Sequence, residues 1–201
     1  MDTDTARSGK TPSRQWPRVA LLVLAVLLML TVGGCMTALK AYRIPSSAME
    51  PTLHCARPAP GCEAGTSDRV LALRFHPSWT PGRGEIVVFR TPPMAQAKCG
   101  AGGTFVKRLV GLPGEQVSIR LRSGKAFVFV DGTELDEPYI EDERRDIGPE
   151  ETFRVRKGQY FVLGDNRSQS CDSRVFGSVP RDNLIGPVVG RYWPLDRIGA
   201  P

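Results

Sequence analysis

Phe105-Val106-Lys107-Arg108-Leu109-Val110-Gly111-Leu112-Pro113-Gly114-Glu115 is the stretch that decides how this chain is read. Thr104 to Gly111 has strand character and is closed by Pro113 and Gly114, residues that punctuate strands. Side chains alternate faces along a strand, so Phe105, Lys107 and Leu109 share one face and Val106, Arg108 and Val110 the other. Lys107 therefore has apolar neighbours on its own side. Burial there disfavours the ammonium form; moving a lysine from a pKa of about 10.4 to about 8 takes roughly 3 kcal/mol, and the result is a possible general base near neutral pH. An edge-strand lysine that lays its stem on the surface and snorkels to water fits the same alternation.

Further runs of strand character lie at Val70 to Phe75, Glu85 to Arg90, Gln116 to Leu121, Ala126 to Val130, Tyr160 to Gly164 and Leu184 to Trp193. Asp131-Gly132 after Ala126 to Val130 is a turn signal, and the charged segment Asp142 to Glu151 reads as a solvated excursion. With 21 Gly and 17 Pro in 201 residues, short strands joined by many turns fit better than a helical bundle. The expected fold class is mainly β, in a single domain.

Val19 to Leu39 is an uncharged apolar run of 21 residues. About 20 helical residues cross a hydrocarbon core of about 30 Å, so this segment is expected to be a transmembrane helix. Arg7, Lys10, Arg14 and Arg18 precede it and only Lys40 and Arg43 follow closely, which puts the N-terminus in the cytoplasm. The expected organisation is a cytoplasmic tail over residues 1–18, a transmembrane helix over 19–39 and an extracytoplasmic domain over 40–201. A cleaved leader ending at Gly34, with Cys35 lipidated, is the alternative reading. The formal net charge of +6 is spread along the chain rather than clustered, and no nucleic-acid-binding module is visible.

Cys55, Cys62, Cys99 and Cys171 all fall in the outward part, where disulfides persist. Four cysteines allow three pairings. A Pro-Gly turn between Cys55 and Cys62 favours that pair, which leaves Cys99 with Cys171. No Cys-x-x-Cys pair is present and the histidines are His54 and His76 alone, so neither a metal nor another cofactor is expected.

Two more segments bear chemistry. Ile44-Pro45-Ser46-Ser47-Ala48-Met49-Glu50-Pro51-Thr52-Leu53 lies just beyond the membrane exit, so a group there acts only on something held near the bilayer surface. Leu163-Gly164-Asp165-Asn166-Arg167-Ser168-Gln169-Ser170-Cys171-Asp172-Ser173-Arg174 suits a tight loop that satisfies its own backbone groups, with Asp172 and Arg174 able to pair. Each alone also reads as an ordinary turn.

Together the three segments resemble, in order and separation, the sequence boxes of type I signal peptidases, the Ser/Lys proteases that remove secretory signal peptides. Val130-Asp131-Gly132, Glu137-Pro138-Tyr139-Ile140 and the closing Val179-Pro180 to Arg191-Tyr192-Trp193-Pro194 extend the resemblance over most of the chain from residue 42 onward. It implies the family's antiparallel β fold, Lys107 as general base, Ser46 as an oxyanion-hole hydroxyl, and Met49, Arg108, Ser170, Asp172 and Arg174 in support. It also implies signal peptides of exported preproteins as partners, together with membrane lipid and the secretion machinery.

Aligning on Met49-x-Pro51-Thr52-Leu53 puts the family's nucleophilic serine at position 48, which is alanine here. If Ser46 to Ala48 is extended, Ser46 and Ala48 share a face and Ser47, the alternative nucleophile, points away. The readings left open are a membrane-bound serine endopeptidase, one silenced at Ala48, and a catalytically silent signal-peptide-binding or secretion-accessory protein.

Overall fold

The turn Leu112-Pro113-Gly114-Glu115 carries the chain from one sheet into another. Glu115 N–H donates to the Leu112 carbonyl at 3.2 Å, and Gly114 sits at φ 97°, the left-handed conformation that the third residue of such a turn needs. The Glu115 carboxylate fastens it, accepting from Leu112 N–H at 2.6 Å and from Arg83 Nη2 at 2.6 Å. A Cβ on Gly111 would press within 3.0 Å of Val117, Phe161 and Val155, so only glycine lets the backbone pass this close.

The computed structural model describes Leu21, Leu24 and residues 38–74 and 79–201. The predicted tail over 1–18, nearly all of the predicted span over 19–39, Cys35, Phe75 and His76 lie outside the described residues. No helix among the described residues is long and apolar enough to cross a membrane.

The strands are β1 (Leu39–Arg43), β2 (Arg69–Leu73), β3 (Ile86–Arg90), β4 (Thr104–Gly111), β5 (Gln116–Arg122), β6 (Lys125–Val130), β7 (Thr133–Glu134), β8 (Glu151–Arg154), β9 (Gln159–Leu163), β10 (Val179–Pro180) and β11 (Leu184–Trp193). Within residues 39–201 the described α-helices are short: α1 (Pro93–Cys99) and α2 (Ser173–Phe176). Among the described residues the strands form two sheets, ordered β1-β2-β11-β3-β4-β9-β10 and β7-β6-β5-β8. Every pairing between these strands is antiparallel, so the mainly β, antiparallel expectation holds.

The anticipated strands lie within a residue or two of their expected limits. At Asp131-Gly132 the chain reverses as read, with both residues at positive φ (49° and 85°). The Asp142 to Glu151 segment lies outside the sheets up to β8 and is largely exposed, as the sequence reading expects. It is tethered at Asp146, whose carboxylate accepts from Arg174 Nη1 at 2.5 Å and whose carbonyl accepts from Ala126 N–H at 2.9 Å.

Residues 39–201 form one compact unit. One core cluster packs Val87, Phe89, Leu109, Val162 and Phe176 between β3, β4, β9 and α2; another gathers Ile44, Met49, Leu53 and Val70 under the segment that follows β1. Both favoured disulfides are present. Cys55–Cys62 closes a small loop over the second cluster, and Cys99–Cys171 joins the end of α1 to the loop before α2.

Candidate active site

β4 presents two cations to opposite sides, as strand alternation requires. Lys107 is only 4% exposed and shares its face with Phe105, whose ring centre lies 5.6 Å from Nζ, and with the fully buried Leu109. Burial pushes the Lys107 ammonium down to about 8, against the upward pull of Asp172 and Asp165. The snorkelling alternative is thereby excluded.

Arg108, on the other face, clamps Asp165 through Nε (2.9 Å) and Nη2 (2.7 Å), donates from Nη1 to the Gly84 carbonyl at 2.8 Å, and stacks 3.8 Å from the Tyr139 ring centre. Thr52 Oγ1 donates to Asp165 Oδ2 at 2.6 Å. One buried carboxylate thus ties β4, the loop after β9 and the segment around position 48 together. The sequence reading quoted Asp165 but gave it no role; its signal was the strand-ending Leu163-Gly164-Asp165-Asn166.

Position 48 lies in a single 3₁₀ turn, Ser47–Met49, preceded by an extended Ser46. The condition of an extended Ser46 to Ala48 is therefore met at Ser46 alone. Asn166 holds the turn from behind, its N–H donating to the Ala48 carbonyl and its Nδ2 to the Ser47 carbonyl, each at 3.1 Å. Gly164 permits the approach, since a Cβ there would run into Ser170 Oγ and the Ala48 carbonyl oxygen. Ser47 is buried and its Oγ donates to Gln169 Oε1 at 2.9 Å. Asn166 and Gln169 were not anticipated, because a side-chain amide in a loop gives no sequence signal of its target.

Asp172 is fully buried and accepts from Gly164 N–H at 3.0 Å and from Arg174 Nε and Nη2 at 2.8 Å each. Burial alone would raise its carboxyl, but the hydrogen bonds and charge of Arg174 outweigh this and hold it below the ordinary value. Ser170 Oγ is buried and finds no hydrogen-bond partner among the described residues.

A cleft of about 360 Å³ opens beside this arrangement, and Tyr42, Ser46, Met49, Ala101, Phe105 and Lys107 are among its walls. Neither Ser47 nor Ala48 lines it. Of the sequence-expected residues, the cleft brings Ser46, Met49 and Lys107 together; Ser170, Asp172 and Arg174 stand behind them in the loop, and Arg108 acts through Asp165.

The sequence profile of the family described as signal peptidase, peptidase S26, matches residues 15–193. The chain belongs to the signal peptidase family. It is 37% identical over 191 residues to probable signal peptidase I-2 of a Synechocystis species, covering 94% of this chain and 78% of that one. Signal peptidase I of Leptolyngbya laminosa is 35% identical over 200 residues, covering 96% and 87%. A crystal structure of a signal peptidase I from Enterococcus faecalis V583 is similar at 32% identity with a TM-score of 0.43, covering 55% of this chain and 97% of that one. By family the chain is a protease of the signal peptidase I type, a serine endopeptidase.

Proposed function

We propose that residues 40–201 are an extracytoplasmic Ser/Lys site for signal peptides of exported preproteins, tethered by a single span over residues 19–39 with the N-terminus in the cytoplasm of a plasma-membrane protein. The observation that carries this is the buried Lys107, whose ammonium burial pushes down to about 8, in a cleft it shares with Ser46 and Met49. A lysine in that state can take a proton from a serine hydroxyl, which then attacks the scissile carbonyl to form an acyl-enzyme that water later releases. In this arrangement the Ser46 hydroxyl and the N–H of residue 48 stabilise the oxyanion. Arg108 and Asp165 fix the framework, and Asp172, Arg174 and Ser170 support the lysine.

At position 48 this chain has no hydroxyl to deprotonate. Removing the nucleophile of a serine protease costs roughly four to six orders of magnitude in rate. The chain as it stands therefore holds a signal peptide in the cleft, extended beside the walls of β1 and β4, without turning it over. A second reading makes Ser46 the nucleophile, and the cleft common to Ser46 and Lys107 favours it over Ser47, whose hydroxyl is tied to Gln169.

The test is incubation of the detergent-solubilised chain and its Ala48→Ser version with a secretory precursor, reading product N-termini by mass spectrometry. Cleavage by the serine version alone is expected. Cleavage by both, lost on Ser46→Ala, would establish the second reading. Cleavage by neither, with the precursor still bound, would leave a silent signal-peptide-binding protein.

A further inference from the structure

The groove along the outer edge of β8 lies away from the cleft and has no part in the reading above. β8 is the last strand of its sheet, pairing with β5 alone among the described residues. Val155 turns both of its backbone groups to the β5 side, its N–H donating to the Glu115 carbonyl at 2.8 Å and its carbonyl accepting from Gly114 N–H at 2.9 Å. Backbone groups alternate along an antiparallel strand, so those of Arg154 and Thr152 point outward from the sheet. They open onto a groove of about 430 Å³ whose walls include Thr152, Phe153, Arg154, Arg156, Gln159 and Ser178. Phe153 packs against the buried Phe161, ring centres 4.9 Å apart with the rings tilted by 40°, and gives the groove an aromatic base. Arg154 and Arg156 are exposed and have no ion-pair partner among the described residues, and the exposed Lys157 follows them.

We propose that this edge takes an extended acidic segment of a partner polypeptide as an added strand, its backbone pairing with Thr152 and Arg154 and its carboxylates meeting Arg154 and Arg156. Charge on an edge strand often serves to repel other strands, but cations without ion-pair partners also attract a strand of opposite charge. Here the edge borders a groove to which Gly177 and Ser178 also contribute, and an added strand would lie about 4.8 Å from β8.

The experiment uses the full chain in detergent and two labelled short peptides, one alternating valine with glutamate and one alternating valine with lysine, followed by fluorescence anisotropy at low salt. The glutamate peptide is expected to bind at least about tenfold tighter than the lysine peptide. Arg154→Glu with Arg156→Glu should remove that preference. Thr152→Pro, which deletes an outward N–H and leaves the cations in place, should weaken the glutamate peptide by about tenfold or more. On the unaltered chain, hydrogen exchange at the Thr152 and Arg154 amides should slow when the glutamate peptide is added. Equal binding of both peptides, no binding of either, or tight binding without protection of those two amides would overturn the proposal.

Discussion

Asp172 gives both of its carboxylate oxygens to Arg174, at 2.8 Å each, and Lys107 is left without an ion pair among the described residues. The arginine thereby keeps the nearest strong anion from fixing the lysine as a cation. Arg174→Gln is expected to free that carboxylate and raise the Lys107 pKa from about 8 by at least about one unit. Lysine side-chain NMR titration reads the shift directly. In the Ala48→Ser version the same change should move the acid limb of the pH–rate profile toward alkaline pH, an effect that mere loosening of the loop would not produce. Stability should also drop, by about 3–5 kcal/mol, because half of a buried pair is gone.

Lys107 itself should weaken the fold at neutral pH. Its folded pKa of about 8 lies below the ordinary 10.5, so between these values the unfolded chain holds a proton that the folded chain has released, and unfolding free energy rises with pH across that window. Lys107→Met should abolish the rise and stabilise the protein at pH 7 by up to about 3 kcal/mol. Denaturant unfolding at pH 7 and pH 10 measures both; a destabilised Lys107→Met protein at pH 7 would contradict the burial argument.

The fully buried Asp68 should act in the opposite pH direction. Burial pushes its carboxyl up to about 6, with Glu50 and Asp196 adding to the shift and Arg191 opposing it. Between about 4 and 6 the folded chain binds a proton that the unfolded chain has lost, so this group's contribution to stability falls as pH rises through that window. Asp68→Asn should flatten that component relative to the parent, while leaving Arg191 and Arg197 without the carboxylate they pair with. Paired melts at pH 4.5 and pH 7 give the difference.

In the Ala48→Ser version the two neighbouring serines should separate cleanly. Ser47 donates to Gln169 and does not line the cleft, so Ser47→Ala should change kcat/KM by less than about threefold. Ser46 lines the cleft with Lys107, and Ser46→Ala should lower kcat by about 10²-fold or more, the usual loss for an oxyanion-hole donor. Comparable losses from both would show that the turn, rather than the Ser46 hydroxyl, is being measured.

Gly164→Ala should fail in a recognisable way. Its Cβ would meet Ser170 Oγ and the Ala48 carbonyl, so either the loop retreats or the 3₁₀ turn shifts, at about 1–3 kcal/mol. Amide exchange at Asn166, whose N–H donates to Ala48, should accelerate more than exchange in β4.

Residue order alone is enough to place the strands, the turns and the chemistry on offer. Alternation placed Lys107 among apolar neighbours and Arg108 opposite, Pro113-Gly114 and Asp131-Gly132 set reversals through backbone preference, and the loss of a hydroxyl at Ala48 needs no structure to be seen. These are local facts, fixed by residue type and a period of two. What each group meets depends on how the sheets pack. Burial of Lys107, capture of Ser47 by Gln169, the Arg108–Asp165–Thr52 clamp and the pinning of Asp146 by Arg174 all join residues far apart in the chain. Their energies come from desolvation and directional hydrogen bonds, which depend on where the sheets bring side chains together, and no reading of neighbours along the chain contains that information.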